Sequence, residues 1–272
     1  MSHGLPVPQG AQELLDKISS LNLELVKRNR QLESLKNELK TFTSIAANDY
    51  KETLRKLYTG MEYIVNNDAK NLSNEGKANV RRAQSAIQKL KLLTEDIVSY
   101  SSIQNYASQA ERVDLNEILF SVKKDLEKRF SESQLQLESD NLPIITGYPY
   151  LISVLFTHLL DNALKFRKEE SGGQIRITAK NQTGAQVDHP SALPGIKYAV
   201  ISFNDNGVGF EADNSEHIFI IFSKLHEKGK YKGTGIGLAI CKKIMEMHEG
   251  FITGEGIPGD GAVFSCYFPL EN

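Results

Sequence analysis

The sequence predicts a two-part protein: a dimeric helical region, in which a coiled coil runs into an α-helical hairpin, followed by an α/β sandwich. Three observations carry this reading. Apolar residues recur by threes and fours from Ile18 to Phe42, and a second narrow apolar seam runs from Val80 to Ser101 after an Asn-rich break. From about Asp114 onward, short β-like runs alternate with helical ones.

The first seam is Ile18, Leu21, Leu25, Leu32, Leu35, Leu39 and Phe42, with Arg28 filling one missed position. This is a heptad pattern, and Glu24, Lys27, Arg30, Glu33, Lys36 and Glu38 supply the mixed charges that keep a two-stranded coil soluble and in register. It predicts a helix over most of Ala11 to Ala47, preceded by a disordered Pro/Gly leader over 1–10, with the coiled coil itself at 11–40. The periodicity continues through Tyr50, Leu54, Leu57, Met61 and Ile64 and stops at Asn66-Asn67-Asp68 and Asn71, residues whose side chains favour turns. The second helix presents Val80, Ala83, Ile87, Leu90, Thr94, Ile97 and Ser101. A lone hairpin over 41–108 would leave this surface wet, so two chains pairing as a four-helix bundle, or packing on the rest of its own chain, is required.

The second part spans 114–272. Asp114 is placed as the N-cap of a helix reaching Phe130. Strands are predicted at Leu135 to Leu137, Ile144-Ile145, Gln174 to Ala179, Lys197 to Phe203, Phe251-Ile252 and Val263 to Phe268, and helices at Tyr150 to Arg167 and Ile236 to His248. A Gly/Pro-rich loop lies at Gly184 to Gly195, and the boundary between the parts falls near Gln109 to Val113.

Composition narrows the function. With 32 basic against 34 acidic side chains the chain lacks the basic excess that nucleic-acid binding needs. Two cysteines, Cys241 and Cys266, form neither a disulfide framework nor a metal-ligand pattern, which favours a reduced, cytoplasmic compartment. No apolar run has the length of a membrane span, and the first ten residues do not read as a signal peptide.

Three stretches can carry chemistry. His158, Asn162 and Lys165 share one helix face; an Asn amide oxygen can complete a Mg²⁺ shell beside phosphate oxygens, and a nearby Lys can neutralise phosphate charge. Asp205-x-Gly207-x-Gly209 follows a strand, placing a carboxylate able to accept an exocyclic amine next to two glycines where the backbone turns or approaches a flat ligand. Gly233-Thr234-Gly235-Ile236-Gly237-Leu238 opens a helix, whose free N–H groups and dipole suit phosphate oxygens. Before it, Lys224, Lys228, Lys230 and Lys232 against Glu227 suit a mobile cationic lid. Each stretch alone also reads as a solvated face, a turn or a loop.

Their order and spacing, Asn162-x-x-Lys165, Asp205-x-Gly207-x-Gly209, Phe219-x-x-Phe222 and Gly233-x-Gly235-x-Gly237, resemble the N, G1, F and G2 boxes of the histidine-kinase ATP-binding domain. That domain belongs to the ATPase superfamily shared with gyrase, a heat-shock chaperone and MutL, and residues 40–108 resemble the same family's dimerisation and phosphotransfer hairpin. The resemblance implies a homodimer that uses ATP and Mg²⁺. In it Asn162 binds the metal, Lys165 contacts phosphate and Phe166 lines the adenine pocket. Asp205 reads adenine, while Gly233, Gly235 and Gly237, with Thr234, Ile236 and Leu238 between and after them, cradle phosphates under a lid that begins at Lys224.

The chain departs from the family where the phosphoacceptor should stand. In place of a histidine followed by an acid it reads Ala47-Asn48-Asp49-Tyr50-Lys51-Glu52-Thr53-Leu54. An imidazole nitrogen has an available lone pair, whereas the Asn48 amide nitrogen is delocalised into its carbonyl. None of the six histidines lies between residues 40 and 108. Thr53 also stands where the family places a helix-bending proline. His158 occupies the position four before the metal Asn, where hydrolases of the superfamily have a Glu base, so rapid ATP hydrolysis is not expected. Val263 replaces a frequent Thr, at a cost of about 1 kcal/mol for one hydrogen bond near adenine.

The reading is therefore a dimeric two-component signalling protein that binds Mg-ATP without autophosphorylating. It would act as a regulator, as the ATP-bearing partner of a true histidine kinase, or through a response regulator. A kinase core with an engineered replacement at Asn48 is the rival enzyme reading, against which Tyr50, Lys51 and Thr53 argue because they diverge as well. A nucleotide-independent scaffold would be expected to lose its glycine boxes, and these are intact.

Overall fold

The computed structural model describes residues 9–68, 70–103, 110–168, 173–224 and 233–270. The chain divides into two compact units, Met1–Tyr50 and Lys51–Asn272. The heptad region is part of one uninterrupted helix, α1 (Gln9–Tyr63). It begins inside the expected leader and continues past Ala47, because no Pro or Gly interrupts residues 11–59 and the apolar period runs on through Tyr50, Leu54 and Leu57. In the first unit Ile18, Leu21, Leu25, Leu32 and Leu35 are all exposed. The seam side chains Leu39 and Phe42, the side chain of Asn48, and the leader over 1–8 lie outside the described residues.

In the second unit α1 ends through a π turn at Ile64–Asp68, where the Asn67 side-chain amide donates to the Tyr63 carbonyl at 3.0 Å. The hairpin returns as α2 (Asn74–Ser102), capped by Ser73, whose hydroxyl accepts from the Gly76 amide. Among the described residues of α1 and α2, Leu54 and Ile87 are the buried apolar ones, while Leu57, Leu90 and Ile97 of the predicted seams are exposed.

The sandwich begins earlier than expected, with a strand β1 (Glu111–Asp114) that pairs antiparallel with β3 (Ile144–Gly147). Asp114 is the N-cap of α3 (Leu115–Asp125), accepting from the Asn116 amide at 2.8 Å. The helix predicted to reach Phe130 is broken at Leu126, and a separate α4 (Glu127–Ser133) follows. The apolar period runs on through Leu119, Val122, Leu126 and Phe130, all buried, so pattern alone does not mark the break.

The remaining elements are β2 (Gln136–Ser139), α5 (Pro149–Lys165), β4 (Gln174–Thr183), β5 (Lys197–Asp205), α6 (Gly237–Met247), β6 (Phe251–Ile257) and β7 (Gly261–Leu270). Five strands form one sheet in the order β2-β4-β5-β7-β6, with β2 parallel to β4 and the other pairs antiparallel. The core lies between this sheet and α3, α5 and α6. It joins Leu115, Leu119 and Val122, then Leu155, Phe156 and Leu159, then Ile240 and Ile244, to Ile175, Ile177, Ile201, Phe203 and Phe268. Each such side chain contributes about 1.5–3 kcal/mol by leaving water.

Tyr198 to Phe203 are buried on both faces of β5. The reason is the Gly/Pro-rich loop, which covers the far side: Val187, Ala192 and Ile196 pack on Tyr198, Val200 and Phe251. His189 stacks on Phe251 with ring centroids 4.4 Å apart. Among the described residues no helix is long and apolar enough to cross a membrane.

Candidate functional site

Three chain segments meet at one edge of the core. The first is the C-terminal half of α5, where His158, Asn162 and Lys165 are half-buried on the face the spacing predicts. The buried Leu155, Leu159, Leu160, Ala163 and Leu164 hold this helix against the sheet, leaving the polar stripe at its margin. Arg129 of α4 pairs with Asp161 beside it.

The second segment is the end of β5. Asp205 accepts from the Gly207 amide at 2.9 Å. Burial raises its carboxyl above the usual range, against hydrogen bonds from the Gly207 and Ala262 backbone and the charge of Lys168. The Val208 amide donates to the Phe166 carbonyl at 2.9 Å, so the loop after Asp205 is tied to the end of α5. A β-carbon at Gly207 would stand 2.5 Å from that carbonyl oxygen. Gly209 has φ +65°, with the Ile257 carbonyl oxygen 2.0 Å from where a side chain would begin.

The third segment is the glycine loop at the start of α6. A β-carbon at Gly233 would lie 2.5 Å from Lys165 Nζ, so the loop rests directly on that ammonium group, which is also 4.3 Å above the Phe166 ring. Gly237, the first residue of α6, faces His158, whose Nδ1 would be 3.1 Å from a β-carbon there. No side chain among the described residues caps α6, so its first amides are not taken by a cap. Lys224 Nζ donates to the Gly233 carbonyl.

The electrostatics favour an anion. Burial lowers the Lys165 pKa, with Asp161 opposing and Lys224 adding to the shift. Lys224 is lowered by burial and by Lys89. Burial likewise holds His158 toward its neutral form, against the charges of Asp96 and Asp161. Lys165 and Lys224 thus border the backbone amides at the start of α6, with Asp96 and Asp161 close by.

The structure thus brings together Asn162, Lys165, Phe166, Asp205, Gly207, Gly209, Lys224, Gly233, Gly235 and Gly237. Ile236 is in the core and Leu238 packs against it, so these two act on the loop through packing and backbone. Lys228, Lys230 and Lys232 lie outside the described residues, while Asn48 and Asp49 sit in α1 in the other unit. Asp96 was not legible: it accepts a hydrogen bond from the Thr234 hydroxyl, and the two residues are 138 positions apart.

Asn162 supplies a hard oxygen, and among the described residues no group of three His, Cys, Asp or Glu could hold a metal by itself. That donor set fits Mg²⁺ arriving with phosphates and keeping part of its water shell.

Residues 148–272 match the family described as histidine kinase-, DNA gyrase B-, and HSP90-like ATPase. The phytochrome-like protein Cph1 of Synechocystis sp. is 31% identical over 249 residues, covering 92% of this chain and 31% of that protein. The adaptive-response sensory kinase SasA of Prochlorococcus marinus is 26% identical over 204 residues, covering 72% of this chain and 51% of that protein. This chain therefore spans about a third and about half of their respective lengths. Full-length ShkA, solved in complex with AMPPNP, shares the fold at a TM-score of 0.58 and 19% identity, over 85% of this chain and 46% of that one.

Proposed function

We propose, for a chain whose residues 148–272 are a histidine-kinase-type ATPase domain, that it is a two-component signalling protein that binds Mg-ATP but has no phosphoacceptor of its own. The observation that best supports nucleotide binding is the seating of the glycine loop on Lys165, with Asp205 tied by its own loop to the same end of α5.

In this reading Asn162 presents its amide oxygen to the metal, and bound Mg²⁺ supplies neutralisation of phosphate charge. Lys165 and Lys224 meet phosphate oxygens, and the amides of Gly235 and Gly237 donate to them. Asp205, fixed through the Gly207 amide, accepts the exocyclic amine of adenine, and Phe166 borders the base. His158 stands where hydrolases of the superfamily carry a Glu base, and burial shifts it toward its neutral form, so rapid ATP hydrolysis is not expected.

The absence of histidine from residues 40–108 leaves only the Asn48 amide at the acceptor position. The protein then acts in the cytoplasm as a homodimeric regulator. Alternatively it passes the phosphoryl group to the histidine of a partner kinase or works through a response regulator.

Titration calorimetry tests the nucleotide site. Wild-type should bind Mg-ATP in the micromolar to millimolar range, about 4–8 kcal/mol, and Asp205→Ala should lose that binding. No binding by folded wild-type, or binding unaffected by Asp205→Ala, would reject the reading.

A further inference from the structure

On α2, residues adjoining the seam through Leu90 and Ile97 turn toward the sandwich. Leu93 and Tyr100 pack on the core of the sandwich, and Ile103, just past the helix end, is 3% exposed within it. Asp96 lies in the same stripe, three residues after Leu93 and four before Tyr100. Two polar contacts fasten this face: the Thr234 hydroxyl donates to the Asp96 carboxylate, and Lys243 Nζ donates to the Tyr100 carbonyl at 2.9 Å while lying 4.0 Å above its ring.

Thr234 is inside the glycine loop, between Gly233 on Lys165 and the start of α6. A hydroxyl has one proton to donate, and the Ile236 amide already donates to its oxygen at 3.4 Å. While Asp96 accepts that proton, Thr234 has none left for a phosphate oxygen. Asp96 also brings a full negative charge to a loop whose ligand would be polyanionic, and like charges at such separations repel strongly where water is partly excluded.

We propose that Asp96 is an internal competitor for the phosphate cradle: docking of α2 through Asp96 and Tyr100 lowers nucleotide affinity, and bound nucleotide releases the Asp96 contact. This rests on the reading of the glycine loop as the nucleotide site. Linkage makes the coupling reciprocal, so whatever factor docking takes from nucleotide affinity, nucleotide takes from docking.

The experiment is calorimetric titration of the full chain with Mg-ATP, in wild-type, Asp96→Ala, Lys243→Ala and Asp205→Ala. Asp96→Ala should bind about tenfold more tightly than wild-type. Lys243→Ala loosens the same docking face without touching the glycine-loop hydroxyl, and should also tighten binding. In wild-type, Mg-ATP should accelerate amide hydrogen exchange over residues 93–103. Equal or weaker affinity in folded Asp96→Ala overturns the inference and leaves the nucleotide site standing. Should Asp96→Ala fail to fold, unchanged affinity in Lys243→Ala together with unchanged exchange over 93–103 overturns it equally. Absence of binding in wild-type and in every variant overturns the nucleotide reading and this inference with it. Tight binding that survives Asp205→Ala likewise overturns the nucleotide reading and, with it, this inference.

Discussion

The Tyr148 amide donates to Nε2 of His248 at 3.0 Å, joining the residue that precedes α5 to the residue that ends α6. Because Nε2 accepts, Nδ1 bears the proton and donates to the Ile244 carbonyl at 2.8 Å, which fixes a neutral imidazole in one tautomer. The ring is buried, edge-on to Tyr148 and to Phe268. It therefore clamps together the two helices that build the site.

Burial holds the His248 pKa below 6.5, with the hydrogen bond to Ile244 working the other way. The unfolded chain takes up a proton near pH 6.5 and the folded chain only at lower pH, so stability falls as pH drops below about 6.5. His158 contributes with the same sign. Denaturant titrations at about pH 7.5 and about pH 5.5 should show a lower midpoint at the acid pH. His248→Ala should cost about 2–4 kcal/mol at neutral pH and flatten the dependence.

Burial raises the Asp205 carboxyl above the usual range, so its charged form is disfavoured in the fold, against the Gly207 and Ala262 backbone hydrogen bonds and the charge of Lys168. Asp205→Asn keeps an acceptor for the Gly207 amide and removes the buried charge. Its melting temperature should equal or exceed that of wild-type at neutral pH, while Mg-ATP affinity falls by about tenfold or more, the carboxylate being the stronger acceptor. A melting temperature clearly below wild-type would show that the charge stabilises the fold.

Leu90 and Ile97 are exposed on α2, beside Leu93 and Tyr100, which pack on the sandwich. Replacing both by Asp should leave the fold of a single chain almost unchanged and dissociate the dimer, because the charges would be buried unpaired only in the assembly. Light scattering should give a dimer for wild-type and a monomer for the double variant at micromolar concentration. A monomeric wild-type would defeat the claim.

How much of this was legible depended on distance along the chain. The α5 stripe, the strand ending in Asp205 and the glycine loop were readable because each is a local pattern of spacing. The strand β1 was not, since Val113 is the sole apolar residue in Glu111–Asp114 and the strand exists through pairing with Ile144–Gly147. The break at Leu126 was hidden by an apolar period that continues across it. Asp96 with Thr234, and Tyr148 with His248, are partners separated by 138 and 100 residues, and neither has a local signature. The loop at Gly184 to Gly195 reads as a connection, but its Val187 and Ala192, with Ile196 just after it, pack on Tyr198, Val200 and Phe251 as a second small core.

Asn48→His should place an imidazole beside Asp49, which can orient it and accept its proton. Incubated with labelled ATP, this variant should acquire an acid-labile label that is absent from wild-type and from Asn48→His combined with Asn162→Ala. If Tyr50, Lys51 and Thr53 have shifted the helix by as little as ~1 Å, transfer slows about a hundredfold. No label despite normal ATP binding would therefore mean that the hairpin has diverged beyond its missing nucleophile.

The central claim is an ATP site in a chain without its own acceptor, and one measurement addresses both halves. Wild-type protein is incubated with Mg²⁺ and γ-labelled ATP, and label is counted on the native protein and again after denaturation. Label should be retained on the native protein and released completely when it unfolds. Label that survives denaturation, or none on the native protein at concentrations above the expected dissociation constant, would contradict it.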